Sequence, residues 1–189
     1  MKALILDGSA QSDPALAMTR ECIEALLLDR KWEVESYTLR DMVIAPCEGC
    51  FGCWVKTPGM CAIDDDGRNV ARVACQSDLW IFLTHVTFGG YSSELKKAVD
   101  RMICLGLPYF IDVNNEIHHP LRYAKCAALV GIGSAEERDS ESAEIFKRLV
   151  KRNAVNFRSS TYVGEVLNAH ATEGEIRGRI HGILSLMKV

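Results

Sequence analysis

The sequence has no excess of positive charge: 22 lysines and arginines face 25 aspartates and glutamates, a net charge of −3. Nucleic-acid binding leaves a basic footprint, so no such partner is expected. Long apolar runs are also missing. The opening stretch through Leu6 is too short for a secretory leader, and no later run approaches the roughly 20 residues of a membrane span. A soluble, cytoplasmic protein with no membrane partner is therefore expected. Proline is scarce, at 5 residues, and no linker, repeat or low-complexity tract divides the 189 residues. That predicts a single domain over 1–189, long enough to bury a real core. Absent too are a Gly-Lys-Ser/Thr phosphate loop and a Ser-His-Asp or Cys-His triad at recognisable spacing, so no catalytic side chain is assigned.

Cysteine is not scarce. Of 8 cysteines, Cys47, Cys50, Cys53 and Cys61 fall in one loop at 44–66, with two, two and seven residues between them. Thiolates converging from one loop suit a soft metal centre, and Gly49, Gly52 and Gly59 would let the chain fold around an inorganic core. A 4Fe–4S cluster, a zinc ion and a metal-free loop with or without a disulfide all remain open; structural zinc usually draws on two separated knuckles. Cys22, Cys75, Cys104 and Cys126 fall in predicted helices or strands and read as buried apolar thiols. Asp64–Asp66 reads as a solvated turn leading into a helix at Gly67.

The order of elements sets the fold class. Apolar runs at Lys2–Leu6, Val34–Leu39, Leu79–Thr84, Cys126–Val130 and Thr161–Val166 read as strands, the fourth ending at Gly131-Ile132-Gly133. Helices are predicted from Pro14 to Arg30, with Met18, Cys22 and Leu26 on one stripe, and near 67–76, 93–103, 139–152 and 172–187. Asp13, Ser92 or Ser93, and the Thr172/Glu175 capping box supply start signals. Residues 106–124, with His118 and His119, read as an irregular insertion whose histidines are polar loop or interface residues and not ligands. Alternating strands and helices imply an α/β, flavodoxin-like, doubly wound five-stranded parallel sheet of order 2-1-3-4-5, with ligands beyond the carboxyl ends of the strands.

Two segments there carry chemistry. Asp7–Asp13 passes from strand to helix, where free N–H groups favour an anion; Gly8 permits close approach, and Ser9, Gln11 and Ser12 supply side-chain donors. A plain strand-to-helix turn accounts for it equally well. The segment Thr84-His85-Val86-Thr87-Phe88-Gly89-Gly90-Tyr91 pairs two glycines, which let a backbone approach a flat ring, with Phe88 and Tyr91 as an aromatic wall, though a Gly-Gly turn between strand and helix is also common without a ligand.

The run from Val86 to Arg101 resembles the flavin loop and following helix of the NAD(P)H-dependent FMN reductase superfamily. The cysteine run, with Gly59 and Asp64-Asp65-Asp66, resembles its iron–sulfur flavoprotein branch. The resemblance implies FMN on the 84–91 turn, with Gly131 and Gly133 lining the ribityl or pyrimidine side, NAD(P)H as co-substrate, a possible 4Fe–4S cluster on the four cysteines, and a homodimer or homotetramer serving a small-molecule or protein electron acceptor. Trp54 would pack near the flavin edge or support the cysteine loop. The first loop departs from the family pattern: Gln11 stands near its basic position, Ala15 and Leu16 replace an Asn-Thr pair, Asp13 adds negative charge, and His85 stands where proline is common. The expected function is an FMN-dependent oxidoreductase. The alternatives are a non-enzymatic flavodoxin-like electron carrier and a cofactor-free member of the fold.

Overall fold

The computed structural model describes residues 1–9, 13–136 and 140–187. In chain order the elements are β1 (Lys2–Asp7), α1 (Pro14–Asp29), β2 (Glu33–Thr38), the short α2 (Gly52–Val55), α3 (Asp66–Gln76), β3 (Leu79–His85), α4 (Ser93–Arg101), β4 (Ile111–Val113), β5 (Glu116–His118), β6 (Ala128–Ala135), α5 (Ser140–Asn156), β7 (Tyr162–Asn168) and α6 (Glu173–Leu186). Five strands form one parallel sheet in the order β2-β1-β3-β6-β7, which is the predicted 2-1-3-4-5 pattern.

The start signals act as the sequence implies. Asp13 accepts from Leu16 N–H ahead of the proline that opens α1, Ser92 accepts from Leu95 N–H, and Thr172 and Glu175 close a reciprocal capping box. Strand side chains alternate between two cores. Leu4, Leu6, Trp80 and Phe82 pack under α3, α4 and α5, while Ala3, Ile5, Leu79, Ile81 and Leu83 pack under α1 and α6. Met18, Cys22 and Leu26 flank the buried face of α1, whose centre is Leu16, Thr19, Ile23 and Leu27.

Three expectations change. The fourth sheet strand runs to Ala135 and passes through Gly131 and Gly133 instead of stopping at them. Each glycine makes room for a neighbour: a β-carbon would overlap Val150 of α5 at Gly131 and Val86 at Gly133. Cys126 therefore precedes the strand and is exposed, while Cys22 and Cys75 are only partly buried and Cys104 is fully buried. The 106–124 segment holds an antiparallel hairpin, β4–β5, closed by Asn114 and Asn115 at φ 56° and 64°. Two adjacent left-handed residues make a type I′ turn, which asparagine tolerates well.

Candidate functional site

The sheet changes direction between β1 and β3, so the segments leaving these two strands face each other at the switch point. Past β3, Val86 N–H donates to Ser134 O of β6 (2.8 Å), and Thr87 and Gly90 exchange two main-chain hydrogen bonds of 2.8 and 3.2 Å. Between them Phe88 (φ 49°) and Gly89 (φ 76°) are both left-handed, again a type I′ turn. A left-handed phenylalanine costs on the order of 1 kcal/mol, and this one stands 95% exposed at the turn's crest. Its ring gains no burial in return, which marks the crest as a place where an apolar surface is presented outward.

The rest of the predicted ring site is divided. Thr84 is buried and internal: its hydroxyl donates to His85 O and accepts from Ser92 N–H. His85 and Gly90 are half-buried, and Thr87 is exposed. Tyr91 is not a wall. It lies in the core, edge-on to Phe82 and Phe146, and Asn153 Nδ2 donates to its hydroxyl (2.9 Å). Burial pushes its pKa up to about 12. Gly89 is also used for packing, since a β-carbon there would overlap Ile145 of α5. Gly131 and Gly133, filled by Val150, Val86 and Phe146, present no open face in that direction.

The β1 exit is a charged network. Asp7 is buried and accepts from both the N–H and the hydroxyl of Ser9 (3.0 and 2.8 Å) and from Arg20 Nη1 (3.2 Å). Arg40, in the 3₁₀ turn after β2, donates through Nη1 to Ser9 Oγ at 3.0 Å. Gly8 lets α4 close on the loop: its missing β-carbon would meet Leu95, and its carbonyl accepts from Ser92 Oγ. Gln11 and Ser12 lie outside the described residues. The basic group that the loop itself lacks thus stands beside it on Arg40, about thirty positions downstream. Sequence reasoning missed it because only the β1–β2 pairing brings the two together.

The cysteine loop is closed at its base. Val43 N–H donates to Asp66 Oδ2 (2.7 Å), Asp66 N–H to Val43 O (3.1 Å) and Ala45 N–H to Asp65 Oδ2 (2.9 Å). Asp65 also caps α3 through Gly67 N–H and pairs with Arg101 at 2.7 Å. It is therefore no solvated turn residue, as the acidic run suggests: its side chain is 7% exposed and that of Arg101 is 1% exposed. Cys47, Cys50, Cys53 and Cys61 line one small cavity floored by Arg101 and Ile103. Burial, then the neighbouring Cys61, Cys47 and Cys50, push the Cys53 thiol up. Among the described residues no three His, Cys, Asp or Glu side chains are gathered as ligands for an ion. Trp54 supports the loop: its indole N–H donates to Ile103 O (3.3 Å) and its ring packs on Phe51 and His119. His118 is buried between Asn156 and Glu116, 3.0 Å from each.

Comparison with known proteins decides the family. Residues 1–163 match the family described as NADPH-dependent FMN reductase. The chain belongs to this family. It is 32% identical over 102 residues to an iron-sulfur flavoprotein of Methanocaldococcus jannaschii, covering 53% of this chain and 51% of that protein. A second iron-sulfur flavoprotein, from Methanosarcina thermophila, is 29% identical over 77 residues, 41% of this chain and 39% of its own length. The chain thus spans about half the length, or less, of the curated relatives it matches. The fold is shared with an NAD(P)H:quinone oxidoreductase from Methanothermobacter marburgensis, with TM-score 0.71, 13% identity and 96% of each chain covered. It is also shared with an FMN-dependent NADH-azoreductase from Bacillus anthracis, with TM-score 0.62, 12% identity and 98% of each chain covered. Among the described residues, no helix of this FMN reductase family member is long and apolar enough to cross a membrane.

Proposed function

We propose that the protein is an FMN-dependent oxidoreductase that draws on NAD(P)H and serves a small-molecule or protein acceptor. One observation carries this: a family match over 1–163 falls on a chain whose β3 exit presents a left-handed turn beside the β1 exit at the switch point. When bound, FMN supplies hydride acceptance and single-electron release, which no side chain here offers. The chain's own part is placement and charge. Thr87, Phe88 and Gly90 remain accessible at the turn and are proposed to meet the ring, with the exposed Phe88 as its apolar contact. Gln11 and Ser12 are proposed for the phosphate end, with the Arg40 guanidinium supplying positive charge, whereas the N–H and hydroxyl of Ser9 are both spent on Asp7.

For the cysteines we propose a 4Fe–4S cluster held by Cys47, Cys50, Cys53 and Cys61. Four thiols lining one cavity are the donor set such a cluster takes, and two curated relatives bear the iron-sulfur flavoprotein name. The cavity is about 20 Å³, room for about one water, so the loop must open outward to accept a cluster. Cys47 and Cys50 are exposed and Gly49, at φ 65°, has nothing around its missing side chain, so that edge is the one able to yield. The flavin turn leads into α4 and the cysteine cavity lies at its last residue. Nine residues at about 1.5 Å each separate them by about 13 Å. A homodimer or homotetramer in which one chain's cysteines approach another's turn is proposed beside this path.

Anaerobic absorption spectra with iron and acid-labile sulfide analysis, followed by NADH and NADPH turnover, test this reading. Two visible flavin bands that bleach with a nicotinamide are expected, over broad brown absorbance from the cluster. A colourless protein that takes up no FMN would overturn the flavin assignment. Bound FMN without nicotinamide turnover would make the protein an electron carrier.

A further inference from the structure

A second cavity, of about 340 Å³, opens at the far end of the strands from the flavin turn. It is lined by Trp80, the second residue of β3, by Ala127 just before β6, and by the last turns of α4 and α5. Its volume falls in the lower part of the range for small-molecule sites, roughly 300–1,000 Å³. The walls are aromatic and aliphatic: Trp54, Trp80 and Phe157 with Met102, Ile103 and Leu105. Both indole N–H groups already donate to main-chain carbonyls, Trp54 to Ile103 and Trp80 to Ala74, so the rings offer no donors, and Trp80, edge-on to Phe157, shows the cavity only its margin.

The charges are spoken for as well. Asp100 pairs with Lys96 and Lys125 with Asp78, and both ring nitrogens of His118 are already hydrogen-bonded, to Asn156 and Glu116. An ionic ligand would enter this pocket without a counter-charge, at high desolvation cost. Two amides one helical turn apart on α5 are only half used. Asn153 donates through Nδ2 to Tyr91 OH, and Asn156 faces His118 Nδ1 through Oδ1. Asn153 Oδ1 and Asn156 Nδ2 have no protein partner among the described residues, and provide one acceptor and one donor on one wall.

We infer that this pocket binds a neutral, flat aromatic molecule of about two fused rings that carries an oxygen substituent, its rings among Trp54, Trp80 and Phe157 and its oxygen on the Asn153–Asn156 wall. A hydroxyl suits the free amide oxygen and a carbonyl suits the free amide nitrogen. Ile103 also floors the thiol cavity, so the ligand lies one side chain from the cysteine loop. Ile103 lines both cavities, and neither adjoins the β3 turn through its lining residues.

Calorimetric titration of the full chain with naphthol tests the inference, beside naphthalene sulfonate as a same-size anion. One naphthol per chain is expected, quenching tryptophan fluorescence, with the sulfonate at least tenfold weaker. Ile117 is exposed, so substitution there leaves folding intact, whereas Asn156→Ala also takes a partner from the buried His118, so its unfolding is measured beside its affinity. Asn156→Ala should weaken naphthol about fivefold, in line with one hydrogen bond, and Ile117→Glu at the rim should weaken it further. The titrations are run with and without added FMN, and both should agree because the pocket is at the opposite end of the strands. The inference is overturned by no saturable binding, by equal affinity for the sulfonate, by unchanged affinity in both variants, or by binding that FMN creates or abolishes. Absence of FMN uptake alone would sink the flavin assignment and leave this result standing.

Discussion

Arg101 and Asp65 form a two-bond ion pair, 2.7 and 2.9 Å, with both side chains almost entirely out of solvent. The same guanidinium donates to Ala45 O (2.9 Å) and Ile63 O (3.1 Å). These carbonyls lie on either side of the cysteine run, so one side chain at the end of α4 clasps both strands of the loop. A buried pair repays its desolvation only with good geometry and satisfied neighbours, and this one has four bonds from two nitrogens, with Arg101 Nε buried and unbonded among the described residues.

Removing one partner leaves the other charged and buried. Asp65→Asn is expected to cost about 3–5 kcal/mol, read as a lowered urea midpoint, and to lower the melting temperature by roughly 10 °C. The double variant Asp65→Leu/Arg101→Met should cost less than Asp65→Asn, because no charge is stranded. A loss under about 1 kcal/mol in the single variant would mean that another group neutralises Arg101.

The same pair sets an acid limit. Burial works against the Asp65 carboxylate, but Arg101 and the N–H groups of Ala45 and Gly67 outweigh it and hold the carboxyl below its usual range. Asp78 shifts the same way: burial opposes ionisation, while Lys125 and Lys2 N–H prevail. A depressed folded pKa means that the unfolded chain binds the proton more readily. The stabilisation is therefore complete above the ordinary value of 3.8 and is lost as pH falls through the lower folded value. Urea midpoints should hold level from neutral pH to about pH 5 and fall below about pH 4. Asp65→Asn should shallow that fall; an unchanged slope would assign it to other carboxylates.

The sheet was legible because its signals are local. Lys2–Leu6 and Leu79–Thr84 are apolar runs of strand length, and Thr172 with Glu175 is a capping box whose two partners are three residues apart. What failed depends on distance. Gly131 and Gly133 look like a strand end until Val150 and Val86 are seen to need their space. Asp65 looks solvated until Arg101, 36 positions away, is brought against it. Tyr91 follows the glycine pair as a ring wall should, yet β3 and α5 draw it into the core through Phe82, Phe146 and Asn153. The Asn114-Asn115 pair is a local type I′ signal inside the segment that otherwise reads as irregular.

Glycines inside the sheet and on the last helix should respond with opposite sign. Gly131→Ala forces a methyl into Val150 and is expected to destabilise by about 1–3 kcal/mol, the usual range for overpacking. Gly178, in the middle of α6, has nothing near its missing β-carbon. Gly178→Ala should therefore stabilise by about 0.5–1 kcal/mol through helix propensity alone. Equilibrium unfolding of both variants checks the contrast, and a destabilised Gly178→Ala would mean that something packs against that face.

Arg40 supplies the sharpest test of how the first loop treats a phosphate. Its guanidinium bonds Ser9 Oγ at 3.0 Å and its side chain is 37% exposed, so it can turn to a ligand without leaving a buried hole. Ser9 keeps its own bonds to Asp7 in the meantime, which hold Ser9 in place when Arg40 turns away. A hydrogen bond to a charged group contributes about 1.5–3 kcal/mol, which is roughly a ten- to hundredfold change in affinity. Arg40→Gln should raise the FMN dissociation constant by about that factor and leave riboflavin, which lacks the phosphate, unchanged. Flavin fluorescence quenching measures both, and raising the salt concentration should narrow the FMN difference because the guanidinium is partly exposed. Equal losses for the two flavins would place Arg40 in loop architecture, and no loss for either would assign the phosphate to the backbone at the start of α1.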